Sequence, residues 1–263
     1  MLIGEPNRTP YDINFMLFGF PIRISPWFWV ATLVLGWGFI QGLANVVPGN
    51  MPVLREYIIW TTAVLISITI HELGHAFAFR IYGTDAHIVL YHFGGLAVPD
   101  SYAAYGRGRS SRSESHLIIS AAGPMAQIAA ALVLITVIVA IGSDVPVMGI
   151  AARILPVPVG NSLLESQPAL FSFSLSFLHV SIYWALLNLI PVYPLDGGQI
   201  ARELFLIFKA SDAVRSSLML SVAAAALVAV YAYRQGQPYL GIMFVMLGVS
   251  SYQALNPYGG HRW

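Results

Sequence analysis

The stretch from Tyr57 to Arg80, YIIWTTAVLISITIHELGHAFAFR, decides how this chain is read. As a helix at 1.5 Å per residue it reaches ~36 Å, enough to cross a hydrocarbon core of ~30 Å. It is apolar until His71, Glu72 and His75. Two imidazoles and a carboxylate are costly at membrane depth, and such groups are functional candidates by default. Four residues turn a helix by ~400°, so His71 and His75 lie ~40° apart on one face and can chelate a single zinc ion. Glu72 lies beside them, placed to take a proton from a water whose pKa zinc lowers to about 7. The plain alternative is a structural polar cluster, since HExxH patterns also arise by chance in long soluble helices. The apolar setting favours the metal.

One coordination position left for water requires a third protein ligand. A soluble-type HExxHxxGxxH extension fails here, because Ala78 and Ile81 stand where Gly and His are needed. No Glu lies between His75 and Glu114. The best candidate is Asp196 in Asn188-Leu-Ile-Pro-Val-Tyr-Pro-Leu-Asp-Gly-Gly198, where Pro191 and Pro194 remove backbone donors and end or break a helix. Taken alone, the segment also reads as a helix end followed by an Asp-Gly turn.

Outward from these motifs the chain keeps the character of its second helix. Of 263 residues, 57% are hydrophobic and 10% charged, and mean hydropathy is +0.70. A soluble enzyme is excluded by that balance, since ordinary soluble domains carry roughly 25% charged residues. A net charge of +1 leaves no field to gather nucleic acid, so no nucleic-acid partner is expected. The absence of Cys confines metal chemistry to His, Asp and Glu. Further apolar stretches lie near 27–44, 117–142, 170–190, 217–233 and 239–255. The expected fold is an all-α membrane protein, a polytopic bundle of about six transmembrane helices. After the HExxH helix, the alternating run His87 to Phe93 before Gly94-Gly95 predicts a small β-element, a short hairpin or re-entrant strand. Residues 1–26, with Glu5, Arg8, Asp12 and Arg23, read as a short cytosolic arm rather than a cleavable signal peptide.

Positive charge sets the orientation. With the N-terminus inside, Arg8, Arg23, Arg80, Arg107, Arg109, Arg112, Arg202, Lys209, Arg215 and Arg262 fall on the inner side, against Arg55, Arg153 and Arg234 outside. Both termini are therefore expected in the cytoplasm, in a bacterial-type plasma (inner) membrane. His71, nine residues before Arg80, would lie ~14 Å below the inner surface. Trp27, Trp29, Trp37 and Trp60 read as interface anchors. His87, His92, His116 and His261 read as loop residues, and His179 as a packed or interfacial side chain.

Together the two motifs resemble those of the site-2 protease family of intramembrane zinc metalloproteases (peptidase M50-like), which pairs HExxH in one transmembrane helix with a distant NxxPxxPLDGG-like element. Between them, Ala122-Gly123-Pro124-Met125-Ala126-Gln127 resembles the family's AGPxxN, with Gln127 in place of Asn. The resemblance covers about residues 57–210, the catalytic core of a single membrane domain over 1–263, with no PDZ-like or CBS-like domain. It implies one Zn2+ per chain held by His71, His75 and Asp196, Glu72 as general base, and Asn188 as a polar group near the substrate carbonyl or oxyanion. It further implies that the Gly94-Gly95 region holds an extended substrate. The implied activity is hydrolysis of peptide bonds in or near transmembrane segments of single-span membrane proteins, with the lipid bilayer as surroundings. The rival readings are a multi-pass transporter, which also places polar residues at broken helices, and a non-proteolytic metal-binding membrane protein. Di-iron membrane enzymes would want more clustered histidines than the seven here.

Overall fold

A computed structural model describes residues 5–44, 52–92, 94–100, 113–149, 151–208 and 212–255. Two strands come first, β1 (Ile13–Leu17) and β2 (Phe20–Ile24), followed by α1 (Pro26–Ala44) and α2 (Val53–Ile81). A second strand pair, β3 (Ala86–Tyr91) and β4 (Gly94–Pro99), leads to α3 (Ser113–Ala140). Two short helices, α4 (Ala151–Ile154) and α5 (Ser162–Ser166), precede α6 (Pro168–Asn188), α7 (Asp196–Ile207), α8 (Ala213–Arg234) and α9 (Pro238–Leu255). Six of these, α1, α2, α3, α6, α8 and α9, are long and apolar enough to cross a membrane, and they fall on the six stretches read from the sequence. Their outward faces carry exposed side chains such as Leu132, Val133, Leu227, Val230, Ile242 and Val245, as lipid contact requires.

The β-element is larger than the sequence suggests. It is a four-stranded sheet in the order β1-β2-β3-β4. The N-terminal arm supplies half of it, and β2 pairs in parallel with β3 through Ile22↔Ile88 and Ile24↔Leu90. The β1–β2 turn lacks the usual Asn-Gly signal: Phe18 (φ 50°) and Gly19 (φ 78°) both take the left-handed conformation a two-residue turn of this kind needs. Arg80, at the end of α2, holds that turn from outside. Its guanidinium donates to the carbonyls of Phe18 (3.2 Å) and Gly19 (3.0 Å) and lies 3.6 Å over the Phe20 ring.

The apolar core around this sheet runs from Phe20, Ile22, Ile88 and Leu90 into Val64, Ile68 and Phe79 of α2. Trp60 belongs to this core, with its N–H donating to the Thr32 carbonyl at 2.9 Å, so it is a helix-packing residue rather than an interface anchor. Trp27 and Trp37 are exposed, as anchors require. Arg107, Arg109, Arg112, Lys209, His261 and Arg262 lie outside the described residues.

Candidate metal centre

His71 and His75 project from one face of α2, and their Nε2 atoms are 3.1 Å apart. Asp196, the first residue of α7, closes the group from across the bundle. Its Oδ2 is 3.1 Å from His71 Nε2 and its Oδ1 3.4 Å from His75 Nε2. One ligand atom from each residue lies within 4.8 Å of the others, and all three residues are buried.

What surrounds the two rings fixes which nitrogen faces inward. His75 Nδ1 donates to the Ile119 carbonyl at 2.7 Å, an acceptor-only partner that leaves Nε2 with its lone pair. His71 Nδ1 is 3.1 Å from Gln127 Oε1, whose own Nε2 donates to Ser67 Oγ at 2.7 Å. Ser67 in turn shares a 2.8 Å hydrogen bond with Ser181 of α6. Gln127, Ser67 and Ser181 are each 0% exposed. Two lone pairs and a carboxylate thus converge at one buried point, an arrangement that a cation stabilises. The N, N, O donor set with outer partners on both imidazoles suits zinc.

Backbone without side chains makes the room. A Cβ at Gly123 would overlap the His75 ring, so this glycine makes room for the imidazole. Gly74 brings α2 against the Ala122 backbone of α3. At the other end of the site, a Cβ on Gly197 or Gly198 would meet the backbone of Leu189 to Tyr193. The Gly pair therefore lets the first turn of α7 fold back on the preceding segment, which presents Asp196.

Glu72 stands beside the triad and meets the sheet. Its carboxylate packs on Gly95 and accepts the N–H of Ala97. Burial and the Glu72 charge push the Tyr91 phenol up to about 12. β4 is an edge strand: β3 covers one side through Leu90↔Gly95 and Ile88↔Ala97, and Glu72 stands at the other.

The structure brings together His71, Glu72, His75 and Asp196 from the residues picked out in the sequence. Asn188 closes α6 half-buried, and its amide makes no hydrogen bond to any described residue. Residues missed at the sequence level are Ser67, Ser181 and Ile119. Gln127 is picked out there as the last residue of the AGPxxN-like element, without a role, and the structure puts it on His71. The serines gave no signal, and Ile119 acts through its carbonyl. His87 lies in β3, bonded through Nδ1 to Asp100 at 2.7 Å, remote from the triad's partners.

Residues 59–230 match the model of Peptidase family M50. The chain is 31% identical over 195 residues to the protein named "Putative zinc metalloprotease sll0528" from Synechocystis sp., covering 72% of this chain and 42% of that protein. It is 27% identical over 199 residues to "Zinc metalloprotease MJ0392" from Methanocaldococcus jannaschii, covering 74% of this chain and 45% of that protein. The chain thus spans less than half the length of these curated relatives. Among solved structures, the site-2 protease from Methanocaldococcus jannaschii superposes with a TM-score of 0.51 at 22% identity, covering 94% of this chain and 96% of that one, a likeness of fold.

Proposed function

The chain belongs to peptidase family M50, and on that premise we propose that it is a multi-pass membrane zinc metalloendopeptidase that hydrolyses peptide bonds in or near the transmembrane segments of single-span membrane proteins. The observation that carries this reading is the buried convergence of His71, His75 and Asp196 with Glu72 beside them, inside a bundle of apolar helices. A transporter has no need of that donor set.

His71, His75 and Asp196 would hold the zinc ion, which when bound polarises the substrate carbonyl and acidifies water. Glu72 takes the proton from the attacking water and delivers it to the departing amine, so one carboxylate serves both halves of the hydrolysis. Asn188 supplies a polar group for the substrate oxyanion. Gln127 and the Ile119 carbonyl keep both imidazoles in the tautomer that ligates.

A substrate helix shields its own amides, and it must unwind before attack. The freed N–H and C=O groups then need partners inside the bilayer. The outer edge of β4 offers them beside Glu72, by β-augmentation. Substrates with helix-breaking residues near the cut should therefore be preferred.

The charge distribution supports an orientation with both termini in the cytosol, and the membrane we propose is a bacterial-type plasma membrane. The chain has no native Cys, so a single cysteine at Ser110 reports the side of its loop. Labelling from outside intact cells by an impermeant reagent would reverse the orientation.

The decisive experiment pairs wild type with Glu72→Gln on a panel of single-span reporters. Metal content should stay at one zinc per chain in both, while cleavage falls by ~10² or more in the variant. Equal cleavage by the two would refute the mechanism, and a wild type that cuts no reporter while holding zinc would favour the non-proteolytic reading.

A further inference from the structure

One turn before Glu72, α2 leaves a space that the chemistry above does not use. A cavity of about 200 Å³ opens between α1 and α6, with Trp60, Val64 and Ile68 of α2 as its floor. Tyr91, His92 and Gly94, at the ends of β3 and β4, form part of its wall, and Gly94 precedes the Gly95 on which the Glu72 carboxylate packs. Ile68 stands ~6 Å from Glu72 along the helix axis. The cavity therefore lies next to the strand pair whose Gly95 meets the catalytic carboxylate.

Its lining is mostly apolar, and Tyr91 and His92, which also line it, have partners of their own. The Trp60 N–H is taken by the Thr32 carbonyl (2.9 Å), the Thr32 hydroxyl by the Trp29 carbonyl (2.9 Å), and the Tyr183 hydroxyl by the Met148 carbonyl (2.8 Å). His179 differs. Its ring is packed by Phe39 and Tyr183, each with centroids 4.8 Å away, and its Nδ1 is buried with no hydrogen-bond partner among the described residues. A buried polar atom left without a partner is costly, and beside a mostly apolar wall it marks where a complementary group belongs.

Size limits the occupant. A cavity of ~150 Å³ accepts a benzene ring, whereas pockets for whole small molecules run from ~300 Å³ upward. A strand along β4 advances ~3.3 Å per residue, so a side chain within two residues of the bond at Glu72 reaches the ends of β3 and β4. We propose that this cavity is a specificity subsite that takes one aromatic side chain carrying an N–H or O–H donor, tryptophan or tyrosine, from the substrate segment laid along β4, with His179 as its hydrogen-bond partner. The assignment to substrate rests on the proteolytic reading; the existence of the site does not.

The test uses the full chain in detergent and N-acetyl-5-fluorotryptophanamide as probe, followed by fluorine NMR, with N-acetyl-4-fluorophenylalaninamide for comparison. Wild type should show a saturable shift with the tryptophan probe. Val180→Trp, which fills the cavity from α6, and Ala31→Phe, which fills it from α1, should abolish that shift while keeping zinc. His179→Leu should weaken the tryptophan probe about tenfold and leave the phenylalanine probe unchanged. Binding that survives both filled variants, or that never saturates, overturns the site. Equal weakening of both probes by His179→Leu overturns the role of the imidazole. Reporters with tryptophan moved through the residues around the cut then test the subsite: wild type should favour one position through KM, and Val180→Trp should lose that preference. A flat profile in wild type removes the assignment to substrate. If no reporter is cut at all, the proteolytic reading fails while the probe result still decides the cavity.

Discussion

The two halves of the metal centre are held by different means. His71 and His75 ride on one continuous helix, with the fully buried Gln127 side chain on one ring and the Ile119 carbonyl on the other. Asp196 rides on a turn, and what steadies it comes from the last two helices. The Tyr193 N–H donates to Ser221 of α8 (3.0 Å), and Ser251 of α9 donates to the Tyr193 carbonyl (3.2 Å). Val192 is buried in the same small core as Ala225, Ala229 and Phe244. Helices that lie outside the recognisable motifs thus clamp the segment that delivers the third ligand. A helical pair carries its own geometry, whereas a ligand on a turn borrows geometry from whatever packs against the turn.

The largest effect should come from crowding the helical half directly. Gly123→Val places a side chain where the His75 ring lies, so zinc affinity, read by chelator competition, should fall further than the ~10- to 100-fold typical of a lost outer partner. Gln127→Leu removes only such a partner and should fall within that range. Near-normal zinc affinity in Gly123→Val would mean that the His75 ring has another place to go, and the contrast between the halves would collapse.

On the other half, Ser221→Ala and Ser251→Ala each remove one hydrogen bond to Tyr193. Hydrogen bonds of this kind contribute about 1 kcal/mol net, a factor of roughly five. Each variant should lose zinc affinity by about that factor, and the double variant by more, with the zinc stoichiometry intact at saturation. An unchanged affinity in the double variant would show that the apolar contacts around Val192 hold Asp196 unaided.

The smallest effect belongs to the N-terminal arm, away from both halves. The Thr9 hydroxyl, at 2.6 Å, and then the Arg23 guanidinium, at 2.9 Å, hold the Asp12 carboxyl below its ordinary value of 3.8. A carboxyl depressed in the folded state stabilises above its unfolded pKa and loses that contribution as pH falls through the folded value. The thermal midpoint of wild type should therefore exceed that of Asp12→Asn by a constant small margin from pH 7 down to about pH 5, and the margin should shrink below pH 3.8. A margin that grows on acidification would contradict the ion pair.

Much of the helical half was legible in the residues themselves. The i, i+4 spacing places His71 and His75 on one face whatever surrounds them, and the apolar lengths give six crossings because a bilayer has a fixed thickness. The sheet was legible only in its second half. β3 and β4 alternate and close through a short turn, but β1 and β2 turn through Phe18, a residue with no preference for positive φ, and hold that turn through Arg80 from a helix sixty residues on. Asp196 was legible as a candidate, since its carboxylate follows a break in an apolar run. Its arrival 3.1 Å from His71 was not.

By itself, then, the sequence determined the membrane setting, the six crossings, the histidine pair and a candidate for the third ligand, because each follows from periodicity, length or the rarity of charge in hydrocarbon. Tertiary structure alone decided the rest: Gln127 on His71, the Ile119 carbonyl on His75, Glu72 against the edge of β4, the serine clamp on Tyr193 and the burial of His179 Nδ1. Each of these joins residues distant in the chain, and their spacing in sequence carries no record of a contact that only packing creates.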